Sequence, residues 1–351
     1  MQQQLHSQKV DAIFISFLPH LRYISNFSGS NGIGIIFQNE LPIFVTDGRY
    51  KEQIKLEIKN WKTIIAERGK NLISALSKNK EIHKCKKIAF DKNTISYSSY
   101  LLLKNTFPKI AFVSAEFILE KLISKKDSYE ISQIEKAIEI TDATFSKIIN
   151  EIKIGKTENQ IAARISYLQK FLGGSCDAFE TIVASGKNAV LPHARPTQKK
   201  IREKEILILD FGTVVNGYHS DMTRSVAIGK ISHKLKKIYQ IVLDAQQKAI
   251  ENVKSGIAAS KLDAIARNYI SKNGYGKFFN HSLGHGVGLQ IHEFPILNSQ
   301  NKFLLEEGNI ITIEPGIYFP NLGGVRIEDI VVVEKDGCRV LTKSEKKLFS
   351  L

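Results

Sequence analysis

Cysteine is scarce in this chain. Cys85, Cys176 and Cys338 are the only three among 351 residues. They are scattered and odd in number, which argues against a disulfide framework, and no CxxC pair suggests structural zinc. Long apolar runs are also missing, so no segment is built to cross a bilayer. The opening MQQQLHSQKVDAIFIS has no basic segment followed by an apolar one, so no secretory leader is expected there. A reducing cytoplasm is the expected compartment. Acidic residues are outnumbered, 35 Asp and Glu against 50 Lys and Arg, for a net charge of +15. The lysines are spread through most segments, with no arginine cluster and no interleaved aromatics. They read as solvated faces, and neither a nucleic acid nor a membrane is expected as partner.

What is present fits a globular protein: 43% hydrophobic and 24% charged residues. The length is too great for one typical core and suggests two domains. In the first third, VDAIFIS, GIGIIF, LPIFVT, KKIAFD and IAFVSA read as strands, while YKEQIKLEIK and NLISALSK have helical spacing. This predicts an α/β domain with a mixed sheet over residues 1–123. A charged stretch at Lys125 to Asp127 then leads into a second domain, 124–351. There, Thr157 and Gln160 form a capping box. A helix from about His233 to Val253 turns Ile238, Ile241, Val242 and Ala245 to one face. Another runs from Ser260 to Gly274. EILILDFG, HSDMTRSVAIG, NIITIEPGIYF and RIEDIVVVE read as strands.

Carboxylates at the ends of those strands point to chemistry. Asp210 closes the apolar run EILILD, where an unpaired buried charge is expensive. Asn216-Gly217 is a two-residue hairpin signal. If Val215 pairs with Tyr218, Asp210 falls opposite Thr223, and Asp221 lies diagonally on the same face. Two carboxylates so close repel unless a proton or cation lies between them. Glu314 and Glu328 repeat the pattern. Their even separation points both to one face of a hairpin with an odd-length loop. Taken singly, each is weak: Asp210 could be a turn residue, and Glu328 could pair with Arg326 at the surface. Together, four carboxylates and a histidine suffice for two divalent ions. The oxygen-rich set favours Mn2+ and is compatible with Co2+, Zn2+ or Fe2+. Asp329 is expected on the opposite face, in solvent.

HSLGHGVGLQIHEFP gathers His281, His285 and His292 in one segment. His281 and His285 have the spacing of two ligands on one helical face, yet Gly284, Gly286 and Gly288 oppose a helix. The other histidines read as bland. His219 falls beyond the carboxylate pair, and His6, His20, His83 and His233 read as surface or loop residues. Asp47-Gly48 reads as a hairpin turn, with Arg49 in a structural role as readily as a functional one.

In order, DFGTVVNGYHSDMTRSV, HSLGHGVG, IHEFP, TIEPGIY and RIEDIVVV resemble the pita-bread metallopeptidases, in the branch of aminopeptidase P and prolidase. YISNFSGSNG and VTDGRY look like that branch's creatinase-type N-terminal domain, and SGKNAVLPHARPT like a segment carrying a further active-site histidine. The resemblance implies two domains, a creatinase-like α/β domain followed by a catalytic α+β pita-bread domain. It implies that Asp210, Asp221, His285, Glu314 and Glu328 ligate two metal ions, leaving His193, His281 and His292 as active-site histidines without metal. Arg326 becomes a cation near the substrate. Methionine aminopeptidases usually lack such an N-terminal domain, and creatinase lacks the full ligand set.

The reaction so implied is cleavage of an N-terminal Xaa-Pro bond by a hydroxide bridging two metals. Glu314 is the candidate for shuttling a proton to the leaving nitrogen. His281 and His292 would donate to developing charge or to the substrate backbone. The proline imide carries no N–H, so the ring must be accepted by shape, with His193 forming part of the wall. Peptides with proline second are the expected substrates and a homodimer the expected assembly. An Xaa-Pro aminopeptidase is the leading expectation, an Xaa-Pro dipeptidase (prolidase) the near alternative. A non-catalytic peptide- or nucleic-acid-binding member of the fold is the distant one.

Overall fold

Near-continuous apolar runs, rather than alternating ones, mark strands covered on both sides, and the first part of the chain is built that way. The computed structural model describes residues 1–115 and 118–351, which fall into two units, Met1–Ile123 and Ser124–Leu351. In the first unit the strands are β1 Ala12–Ile15, β2 Ile33–Phe37, β3 Ile43–Asp47, β4 Lys62–Ala66, β5 Lys87–Phe90 and β6 Ala111–Ser114. The helices are α1 Gln2–Ser7, α2 Leu18–Ser25, α3 Lys51–Glu57, α4 Lys80–Lys84, α5 Tyr97–Thr106 and α6 Ile118–Ser124, the last ending at the unit boundary. The sheet order is β4-β3-β2-β1-β5-β6, parallel at β3–β4, β1–β5 and β5–β6 and antiparallel elsewhere. It is the mixed sheet the sequence predicts. Ile13, Ile15, Ile36 and Phe44 bury one face; Ala12, Phe14, Ile35 and Val45 bury the other.

Four local readings differ here. NLISALSK, read as helical, keeps only the 3-10 turn Ser74–Leu76. Strand β4 was not legible, because this edge strand is largely exposed and carries no clear apolar alternation. Asp47-Gly48 is not a hairpin turn: β3 and β4 run parallel, and Gly48–Tyr50 is a 3-10 turn leading into α3. Arg49 is held bidentately by Asp47, both contacts 2.9 Å. His20 is not a surface residue. It is 4% exposed, edge-on to Phe17 and 3.8 Å from Asp91, and burial lowers its pKa.

The second unit opens with α7 Ser128–Ile148 and α8 Glu158–Phe171. Both begin with capping boxes, Asp127 with Glu130 and Thr157 with Gln160. Each cap is worth about 1 kcal/mol. A three-stranded sheet follows, ordered β11-β8-β7, from β7 Ile182–Ser185, β8 Glu205–Phe211 and β11 Met222–Ile228. Between β8 and β11 lies the small hairpin β9 Val214–Val215 and β10 Tyr218–His219. Asn216 and Gly217 both have positive φ, 48° and 84°, as a tight two-residue hairpin turn demands. Val215 faces Tyr218, and the count carries through to Asp210 opposite Thr223.

Helices α9 His233–Ile250 and α10 Ala259–Lys272 cover the core, with Ile238, Ile241, Val242 and Ala245 of α9 buried as the spacing predicts. The remaining strands are β12 Gly284–Gly286, β13 Glu293–Leu297, β14 Ile310–Ile313, β15 Gly316–Phe319, β16 Gly323–Arg326, β17 Asp329–Val333 and β18 Cys338–Val340. They form a five-stranded sheet β13-β12-β14-β17-β18 and the separate hairpin β15-β16.

Candidate metal centre

Every residue singled out by sequence lines one cavity of about 580 Å³ in the second unit: His193, Asp210, Asp221, His281, His285, His292, Glu314, Arg326 and Glu328. Strand geometry explains the convergence. Asp210 lies near the end of β8 and Asp221 immediately before β11, two residues from Asp210's partner Thr223. Glu314 and Glu328 occupy the gaps between β14 and β15 and between β16 and β17. Gly316 pairs with Arg326 on one side of these gaps and Ile313 with Asp329 on the other. The same count puts Glu314 opposite Glu328, so both carboxylates share a face. Their backbone N–H groups turn elsewhere: Glu314 donates to Leu283 O at 2.8 Å and Glu328 to Thr223 O at 3.1 Å. The break in the ladder is thus where the sheets are tied together.

His285 sits on a strand, not a helix. A Cβ at Gly284 would run into the Thr312 carbonyl, and one at Gly286 would come 2.5 Å from the Phe294 carbonyl. Glycine on each side lets β12 lie close between β13 and β14. The glycines that oppose a helix therefore serve backbone approach around the histidine.

Burial sets the electrostatics. Asp221 is pushed well above the usual carboxylate range, first by desolvation and then by Glu328, Asp210 and Glu314. Glu328 rises well above it for the same reasons, with Glu314 and Asp210 as neighbours. Asp210 rises through burial, opposed by the Arg326 guanidinium that pairs with its Oδ2. Glu314 goes the other way. Burial pulls it up, but a hydrogen bond and the charge of His285 bring it down to about 2. His285 rises in return. Its Nε2 lies 3.2 Å from Glu314 Oε1 and 3.6 Å from Asp221 Oδ2. Burial lowers His281, and burial followed by the charge of His285 lowers His292 to about 4.

These residues fit a divalent cation. Asp210 Oδ1 and Glu328 Oε1 are buried without a hydrogen-bond partner, which is costly for a carboxylate unless a cation meets it. Asp221, His285 and Glu328 each offer a ligand atom, all within 4.8 Å of one another. His285 Nδ1 lies 3.1 Å from the Gly286 carbonyl, so in the neutral ring it carries the proton and leaves the Nε2 lone pair for a metal.

Several supporting residues were not anticipated. Tyr318, 4% exposed, accepts from Arg326 Nη1 at 2.6 Å and lies 3.0 Å from His281 Nε2. Thr223 donates to Glu328 Oε2 at 2.7 Å and accepts from Arg326 Nε at 3.0 Å. Thr312 joins the His285 N–H at 3.0 Å to Glu314 Oε1 at 3.2 Å. A signal existed for Tyr318: it shares the even parity of 314, 326 and 328. Two further expectations are corrected. Asp329 does point away from Glu328, but it is fully buried, accepting from Arg224 and Lys346 at 2.7 Å and Gln246 at 2.9 Å. Arg326 is no surface partner of Glu328; it is 3% exposed and pairs with Asp210. His219 packs on the Gly288 carbonyl at 3.0 Å.

Comparison with known proteins shows the family. Residues 132–335 match the model of metallopeptidase family M24, and residues 1–122 match the creatinase/prolidase N-terminal domain. An Xaa-Pro dipeptidase of Pyrococcus horikoshii is 38% identical over 98% of this chain and 96% of its own length. The solved Xaa-Pro dipeptidase from Bacillus anthracis superposes with a TM-score of 0.95 at 36% identity, covering 100% of this chain and 99% of that one. The X-Pro aminopeptidase from Thermotoga maritima superposes at 0.91 with 34% identity, covering 99% and 100%. Among the described residues no helix is long and apolar enough to cross a membrane. With a creatinase-type unit followed by a pita-bread unit, the chain belongs to metallopeptidase family M24.

Proposed function

We propose that this protein is an Xaa-Pro dipeptidase that uses two divalent ions, Mn2+ by preference, held by Asp210, Asp221, His285, Glu314 and Glu328. The observation that carries it is the buried cluster of carboxylates, in which Asp210 and Glu328 each keep an unpartnered oxygen and Asp221 and Glu328 gather with His285 within 4.8 Å. The relatives named Xaa-Pro dipeptidase, matched over nearly the full chain, favour the dipeptidase over the aminopeptidase. When bound, the ions supply a nucleophilic water at neutral pH and an electrophile for the scissile carbonyl.

The chain's own residues do the rest. Glu314, a carboxylate that lines the cavity, can take a proton and pass it to the leaving nitrogen. His292, lowered to about 4, is uncharged at neutral pH and offers one ring N–H to the substrate. Its ring lies 4.3 Å from that of His285, edge to face. His281 is neutral too, but its one proton is already used: Nδ1–H donates to the Ser282 carbonyl at 2.8 Å and Nε2 accepts from the Tyr318 hydroxyl at 3.0 Å, so it orients Tyr318 rather than donating to substrate. Arg326 pairs with Asp210 and opposes the rise that burial imposes on it. Phe179, Ile182, Pro192 and Ile296 give the cavity an apolar wall. Such a wall can take a proline ring by shape, where the imide nitrogen has no proton to donate. His193 stands beside it.

The Thermotoga enzyme's name supports a second reading, an Xaa-Pro aminopeptidase. Hydrolysis of matched Xaa-Pro and Xaa-Pro-Xaa peptides by Mn2+-reconstituted protein separates the two. A dipeptidase cleaves only the first, and an aminopeptidase cleaves the longer peptide as well. Failure to cleave either one refutes both.

A further inference from the structure

The segment that carries His193 is tied down at both ends by one buried side chain. Glu158 opens α8 and has no exposed surface. Its Oε1 accepts the Ser185 N–H at 2.8 Å and the Ser185 hydroxyl at 2.9 Å. Its Oε2 accepts the matching pair from Thr197, the N–H at 3.1 Å and the hydroxyl at 2.6 Å. The Asn188 amide reaches both oxygens, at 3.2 and 3.0 Å. Ser185 and Thr197 bracket the stretch whose Pro192, His193, Ala194 and Arg195 line the cavity.

A first-turn acid that served only its own helix could stay in water and still favour the helix dipole. Burying it is costly unless its lone pairs are used. Here they are used on the two ends of one loop. Lys199 reinforces the arrangement, donating to Ser185 Oγ at 2.7 Å and to Glu205 at 2.6 Å. Between the clamp points the chain touches the centre directly, where the Pro192 carbonyl accepts from Arg326 Nη1 at 3.1 Å.

We propose that Glu158 is a positioning residue: by pinning Ser185 and Thr197 to one carboxylate it fixes residues 186–196 and sets where His193 stands in the cavity. The kinetic consequence rests on the peptidase reading above; the clamp itself does not. Both oxygens receive a backbone N–H, so an amide must turn its NH2 group towards one of them. Glu158→Gln therefore keeps the volume and releases one end of the segment.

The test compares wild type, E158Q, H193A and the double variant, all loaded with Mn2+ and matched for metal content. In E158Q, amide exchange across 187–196 should quicken by about tenfold or more, with β8 and α9 unchanged. The value of kcat/KM on an Xaa-Pro dipeptide should fall by about tenfold, as a misplaced contact costs. In the H193A background the same change should cost less than about twofold, because its effect passes through His193. A wild-type exchange rate in the segment overturns the proposal, and so does an equal loss with and without His193. Should the wild type hydrolyse no Xaa-Pro peptide, the peptidase reading falls and the exchange measurement alone judges the clamp. If E158Q does not fold, T197V and S185A, each lacking one hydroxyl donor, take the same readouts with the same outcomes.

Discussion

Two neighbouring strands carry two buried charge clusters, back to back, and the clusters differ in kind. Thr223 and Glu328 face the cavity, whereas the next residues, Arg224 and Asp329, face the other way. Behind, Asp329 uses both oxygens on Arg224, Gln246 and Lys346, leaving only Arg224 Nε without a partner. Burial pulls the Asp329 pKa up, but Arg224 and Lys346 outweigh it and hold it below the usual range. In front, Asp210, Asp221, Glu314 and Glu328 meet Arg326 and His285, and oxygens of Asp210 and Glu328 are left over. Burial is nearly equal on the two sides. The lesson is that charge balance, rather than burial, separates scaffold from site.

The comparison can be broken from either side. His285→Ala removes the proposed nitrogen ligand from the front cluster, and Xaa-Pro hydrolysis should fall by about 10³-fold or more, about 4 kcal/mol in the barrier. Activity within tenfold of wild type at saturating Mn2+ would remove His285 from the centre. Asp329→Ala leaves Arg224 and Lys346 buried without their anion, and should cost about 3 kcal/mol or more of folding stability in urea titration. A loss below about 1 kcal/mol would mean the rear cluster is no scaffold.

The smallest effect sharpens the contrast through pH, in chelated protein. Asp329 lies below its ordinary 3.8, so its contribution is present above that value and lost as pH falls through the folded pKa. Glu328 lies well above its ordinary 4.5, so its contribution is full below 4.5 and lost as pH rises towards the folded pKa. Chelated Glu328→Gln should therefore gain on chelated wild type as pH rises from 4.5, by at most about 1.4 kcal/mol per pH unit. Saturating Mn2+ should reverse the gain. A difference flat with pH would show that the front carboxylates do not repel as described.

Much of this was legible in the sequence, because hairpin geometry is local. Asn216-Gly217 fixes a count that is kept across a short gap in the pairing to Asp210 opposite Thr223, and even spacing puts Glu314 with Glu328. The rest depended on contacts between distant segments. His20 has Phe17 close in sequence, but nothing near it announces Asp91, which comes from a distant strand end. Asp329 looked solvated because its partners Arg224 and Lys346 come from other segments. Glu158 read as an ordinary first-turn acid, since the loop it clamps begins 27 residues later. Strand β4 escaped because an exposed edge carries little apolar signal.

The ladder break at Glu314 and Glu328 has a consequence for how the protein folds. No single sheet owns the centre. The β8–β11 sheet brings Asp210 and Asp221, β12 brings His285, and the glutamates stand where strands leave one sheet for another. Contacts such as Thr223 with Glu328 span 105 residues of chain, so loop closure must be complete before they form. The proposed ligand set is complete only when all of these strands have docked. A cation that binds only this finished arrangement slows unfolding and leaves the folding rate nearly unchanged. The metal centre then acts as a latch set after the fold is made, not as a seed around which it forms.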